Sequence, residues 1–132
     1  MSRSGYYDGC EGWELIRWRG AVESALRGKR GQAFLRELIA SLDAIPSHEL
    51  IIEDLEHDGS VCAIGSVGRR RGIDMSELDA YDREEVARVF GIAEAMAAEI
   101  MFVNDEDYSV KTPRQRWETV RKWAISNLRG DL

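Results

Sequence analysis

The chain has 132 residues and a net charge of -6, from 18 Lys and Arg against 24 Asp and Glu. That length suits one domain with a core of its own, and hydrophobic residues at 44% with charged residues at 32% exclude a disordered chain. The acidic balance argues against unspecific binding to DNA or to an anionic membrane surface, and no apolar run approaches the ~20 residues that span a bilayer.

The reading is therefore a single all-α domain over 1–132, a compact bundle of about five to seven helices, with 1–10 a loosely structured leading segment. Residues 1–7 hold no apolar stretch of a signal peptide. A cytoplasmic location is the expectation, with Cys10 and Cys62 as reduced thiols.

Helical spacing of Leu15, Trp18, Val22, Ala25 and Leu26 predicts a first helix over 11–27. Gly20 inside it suggests a close helix–helix approach. Gly28-Lys29-Arg30-Gly31 predicts a tight exposed turn. Leu35, Leu38, Ile39, Leu42 and Ile45 mark a second helix, ended by Pro46, which pairs with the first as a hairpin. Residues 48–55 fit a short strand or a short helix, and the lack of a nearby partner strand favours helix. Asp58 is the expected cap of a helix over 59–71. Its small residues, Ala63, Gly65, Ser66 and Gly68, predict tight packing. Arg69, Arg70 and Arg71 suit the last turn of that helix, and Gly72 its stop.

A loop is expected over 72–81. Asp82 to Glu85 then has a capping-box pattern. Val86, Val89 and Phe90 begin an apolar face that continues through Ile92, Met96 and Ile100, with Gly91 a kink or a break. Asn104 to Asp107 suits a turn, because Asn and Asp bond their own backbone. Thr112, Pro113 and Gln115 open a last helix with a cap, a first-turn proline and a box partner. Trp117, Val120, Ala124 and Leu128 form its apolar face, and Gly130 stops it.

Catalytic and metal patterns are thin. His57 and Cys62 are close in sequence, but a nucleophile needs its base in reach and a group to orient that base. A buried Cys on a small-residue helix is the plainer account. Cys10, His48, His57 and Cys62 lack the spacing of a zinc site, and Asn104–Asp107 lacks the order of a calcium loop. No cofactor and no metal are expected, and the balance leans away from an enzyme.

Cys62-Ala63-Ile64-Gly65, Asn104-Asp105, and Thr112 with Arg116 and Val120 resemble motifs of small helical phage and prophage proteins. Trp18 to Val22 and Arg27 to Arg36 are similar to the same group. The resemblance implies a phage-like setting and a helical fold, and no particular chemistry.

Charge supplies the remaining function candidates. Cations gather at Arg27, Lys29 and Arg30 and at Arg69, Arg70 and Arg71. Acids gather over 49–58, and as Asp74, Glu77, Asp79, Asp82, Glu84 and Glu85. Separate patches of opposite sign suit orienting a protein partner. The leading expectation is thus a protein-binding accessory factor, such as an inhibitor of a host protein or defence system. The alternative is a nucleic-acid-binding regulator that uses the Arg clusters with Tyr6, Tyr7, Trp13 and Trp18 as stacking surfaces. An enzyme of unrecognised type is the third, and a homodimer is left open.

Overall fold

The computed structural model describes residues 2–6, 12–107, 109–110 and 112–130, and within the first helix the side chains from Arg17 onward. These residues form six helices and one small hairpin: α1 (Gly12–Arg27), α2 (Lys29–Asp43), β1 (Glu56–His57), β2 (Ser60–Val61), α3 (Ala63–Arg71), α4 (Arg83–Phe90), α5 (Glu94–Asp105) and α6 (Pro113–Ser126). The fold is the all-α bundle expected from the spacing. The antiparallel hairpin pairs Glu56 with Val61 and His57 with Ser60. Among the described residues no helix is long and apolar enough to cross a membrane.

α5 is the helix around which the others assemble. Ala95 to Met101 are all buried, as are Val103 and Asn104. A helix apolar on nearly every side has to sit inside, and α5 packs against α1, α3, α4 and α6. Three alanines, Ala95, Ala97 and Ala98, keep it thin enough for those neighbours. The rest of the core comes from predicted faces: Val22 and Leu26 of α1, Leu35, Leu38 and Leu42 of α2, Val86 and Phe90 of α4, Val120 and Ala124 of α6.

The turn between the first two helices is shorter than Gly28–Gly31 suggested. Gly28 alone separates them and caps α2, which begins at Lys29. Gly31 is buried in the first turn of α2, where a Cβ would stand 1.9 Å from the Ala25 carbonyl oxygen. Close approach, rather than turn geometry, is what requires glycine there. Gly20 is the reverse case: it is exposed, and among the described residues nothing lies within 4 Å of a Cβ built on it and no helix approaches there. α2 ends at Asp43, before Ile45 and Pro46.

Residues 48–55 are neither helix nor strand. They run as an irregular extended segment bonded to backbone outside it: Leu50 N–H donates to Pro113 O (3.1 Å), Ile51 N–H to Val61 O (3.0 Å), and Cys62 N–H to Leu55 O (3.2 Å). Leu50 reaches the first residue of α6 while Ile51 and Leu55 bond the nearby Val61 and Cys62, so isolated bonds hold the segment and it forms no strand. Asp58 likewise does not cap a helix; with φ of 49° it turns the hairpin. α3 starts later, at Ala63, and Cys62 is its cap, its sulfur accepting from Gly65 N–H. The expected tight packing of α3 is real. A Cβ on Gly65 would lie 1.8 Å from Leu55 O, and one on Gly68 2.4 Å from Met75 Sδ.

Downstream, Gly72 and Gly91 end α3 and α4 in the left-handed conformation, so Gly91 is a break. Asp82 caps α4 by accepting from Glu85 N–H at 3.1 Å. The box at Thr112 and Gln115 is complete, with both bonds at 3.1 Å. Asn104 and Asp105 are not in a turn; they form the last residues of α5, and the turn begins beyond them, where Asp107 accepts from Ser109.

The glycines give a paired test by chemical denaturation. Gly20→Ala is expected to raise stability by about 1 kcal/mol, because only helix propensity changes. Gly65→Ala is expected to cost about 1–3 kcal/mol, because the Leu55 backbone must move.

Candidate functional site

Three of the sequence motifs converge. Asn104, 2% exposed at the end of α5, accepts from Ala63 N–H through Oδ1 at 2.9 Å and donates from Nδ2 to Ile51 O at 2.9 Å. One amide side chain thus ties α5 to the start of α3 and to the extended segment. Its neighbour Asp105 faces residues 2–6. Both Asp105 oxygens accept from the Arg3 guanidinium, each at 2.6 Å. The same guanidinium lies 3.7 Å from Cys62 Sγ. Arg116, on the helix that Thr112 caps, donates to Leu50 O at 2.7 Å. Its Nε is buried with no partner, and burial pulls its pKa below the ordinary range, with Asp105 opposing.

Residues 2–6, expected to be loose, are fastened here. Ser4 Oγ donates to Glu106 at 2.6 Å, Arg83 donates to Ser4 O, and Tyr6 donates to Glu99 at 2.9 Å. Glu99 is buried and also paired with Arg19. Burial, with Glu99 adding to it, pushes the Tyr6 hydroxyl well up. Cys10, Tyr7 and the Trp13 side chain lie outside the described residues.

The cluster does not bring Cys62 and His57 together. Cys62 is 1% exposed, whereas His57 is 68% exposed on the hairpin and contacts Asp58 at 3.3 Å. Among the described residues no three His, Cys, Asp or Glu side chains gather in a way that would hold a metal ion.

A second arrangement lies beside it. Three acids of the first acidic stretch and one of the second line a surface groove of about 300 Å³: Glu53, Asp54 and Glu56 from one side, Asp79 with Ser76 and Tyr81 from the other. Leu55, Met75 and Ala80 lie buried beneath it and Leu78 is half-buried, so the exposed lining is mainly polar. Glu53 has φ of 70°, a conformation costly for a residue with a Cβ. Its N–H points to Asp105 Oδ1 at 3.5 Å, which joins the groove to the cluster. Burial and then the nearby Glu53 and Asp105 raise the Tyr81 hydroxyl pKa.

Of the acids singled out in the sequence, Asp79 lines the groove. Asp74 instead binds Ser76, whose hydroxyl and N–H hold its carboxyl low. Asp82 caps α4, and Glu85 pairs with Arg88. Glu77 and Glu84 are exposed outside the groove lining. Glu53, Asp54 and Glu56 were visible as part of an acidic stretch, but their meeting with 76–81 depends on tertiary packing.

The cationic clusters divide. Arg71 binds both carboxylate oxygens of Glu37 (2.7 and 2.6 Å), donates to Phe90 O and lies over the Phe34 and Phe90 rings. Arg69 binds Glu56 and Gly59 O. Arg70 makes no ion pair among the described residues, and neither do Arg27, Lys29 and Arg30, which stand exposed at the α1–α2 junction. Two of the three arginines at 69–71 therefore serve the fold.

Set against models of protein families, curated proteins and solved structures, the chain matches none of them. The site has to be judged on its own chemistry.

Two outcomes follow from this geometry. Asn104→Leu leaves the Ala63 N–H and Ile51 C=O without their partner and is expected to cost about 2–4 kcal/mol in urea unfolding. Arg71 hydrogen bonding holds the Glu37 carboxyl below its usual 4.5. A depressed carboxylate stabilises the fold above its unfolded pKa and loses that contribution as pH falls. Stability measured downward from about pH 4.5 should fall less steeply in Glu37→Gln than in the wild type.

Proposed function

We propose that this chain is a non-enzymatic accessory protein that acts by binding another protein, with the acidic groove facing the partner. The observation that carries this reading is the gathering of Glu53, Asp54, Glu56 and Asp79 around one mainly polar groove. Carboxylates gathered on one face select and steer a basic partner. In the phage-like setting that the motif resemblance implies, the partner is a host protein, including a component of a defence system, met inside the cell.

The nucleic-acid reading has fewer groups to draw on than a count of arginines suggests, because Arg69 and Arg71 are spent on Glu56 and Glu37. Arg70, Arg27, Lys29 and Arg30 are what it has left, on a chain of net charge -6.

The test is a pull-down from host lysate beside a gel shift with DNA and RNA. Wild-type protein is expected to enrich a basic partner and to leave nucleic acid unshifted. Glu53→Lys with Asp54→Lys and Asp79→Lys should slow association by about tenfold or more at low salt, and by less at high salt. Salt-sensitive nucleic-acid binding without an enriched protein would overturn the proposal.

A further inference from the structure

We propose that residues 2–6 form a polar latch that opens as a local unit and uncovers the Cys62 thiol while the helical bundle stays folded. The segment adds no residue to the apolar core cluster. Among the described residues it makes no backbone–backbone hydrogen bond with the rest of the chain. What fastens it is polar: the two bonds from Arg3 to Asp105, the Ser4 bond to Glu106, the Arg83 bond to Ser4 O, and the Tyr6 bond to Glu99. Tyr6 is its one apolar anchor, set edge-on to Trp18 and tilted against Phe102.

Each of those polar groups has water as an alternative partner, and the release leaves no carboxylate stranded. Asp105 keeps Asn104 Nδ2 at 2.7 Å, and Glu99 keeps Arg19 at 2.9 Å. The bundle keeps the Asn104 bonds to Ala63 and Ile51. Segments held by few apolar contacts open below the global unfolding free energy. Lifting Arg3, whose side chain is wholly buried, removes the group lying on Cys62 Sγ. The sulfur stays at the start of α3, bonded to Gly65 N–H, and is then open to solvent from the side Arg3 had covered.

Labelling by an aromatic disulfide reagent tests this, in a Cys10→Ser background that leaves Cys62 as the thiol. Cys62 is expected to label slowly, at a rate nearly independent of urea at low urea, with a steep rise only as global unfolding takes over. Arg3→Ala should raise the low-urea rate by about tenfold or more with helical circular dichroism retained. Labelling that follows the global unfolding slope down to zero urea would overturn the latch. So would an Arg3→Ala protein that is folded and labels at the background rate. Should Arg3→Ala not fold, the urea dependence of the background protein decides alone.

Discussion

Asn104 is the one polar side chain that α5 carries fully into the interior at its C-terminal end, and the surrounding chain is arranged around its amide. An unpaired amide in that position would cost more than most single contacts give. Both ends are satisfied instead, one by the first N–H of α3 and the other by a carbonyl of the extended segment. A helix start and an irregular loop each carry backbone groups that no regular structure satisfies. Asn104 settles one of each. Its position decides where α3 begins, how the 48–55 segment lies, and where Asp105 meets Arg3.

The arginines show how the same residue type takes different parts. Arg3 and Arg116 enter the protein and bind Asp105 and Leu50 O; Arg71 is clamped between two phenylalanine rings and Glu37. A guanidinium presents a planar fork that suits such sites, where an ammonium would leave geometry unsatisfied. Arg70, Arg27, Lys29 and Arg30 stay at the surface. The acids divide in the same manner: Asp82, Glu85, Glu37 and Asp43 have structural partners, while Glu53, Asp54 and Asp79 face the groove. The protein-binding proposal rests on that second set.

Helix content was legible in the sequence because it is a local property. Apolar residues at helical spacing mark α1, α2, α4 and α6. Thr112 with Pro113 and Gln115, Asp82, Gly72 and Gly91 mark helix ends through bonds or conformations involving residues a few positions away. The short-range cues failed where a residue's role depends on a distant segment. Asp58 looks like a cap, but Cys62 does that work once the hairpin has formed. Asn104 looks like a turn residue, but its amide is used across the fold. Gly31, and not Gly20, is where a backbone passes too close for a Cβ, because the need for a missing Cβ depends on which backbone passes by.

By itself, then, the sequence determined a helical class of structure, the helix ends at Arg27, Gly72, Asp82 and Thr112, an acidic net charge and an absence of recognisable catalytic spacing. The tertiary structure decided which charges are free. Periodicity and capping act within a few residues and are written along the chain. The pairing of Arg3 with Asp105, of Arg71 with Glu37, and the meeting of 53–56 with 76–81 join segments separated by tens of residues, and only packing brings them within reach.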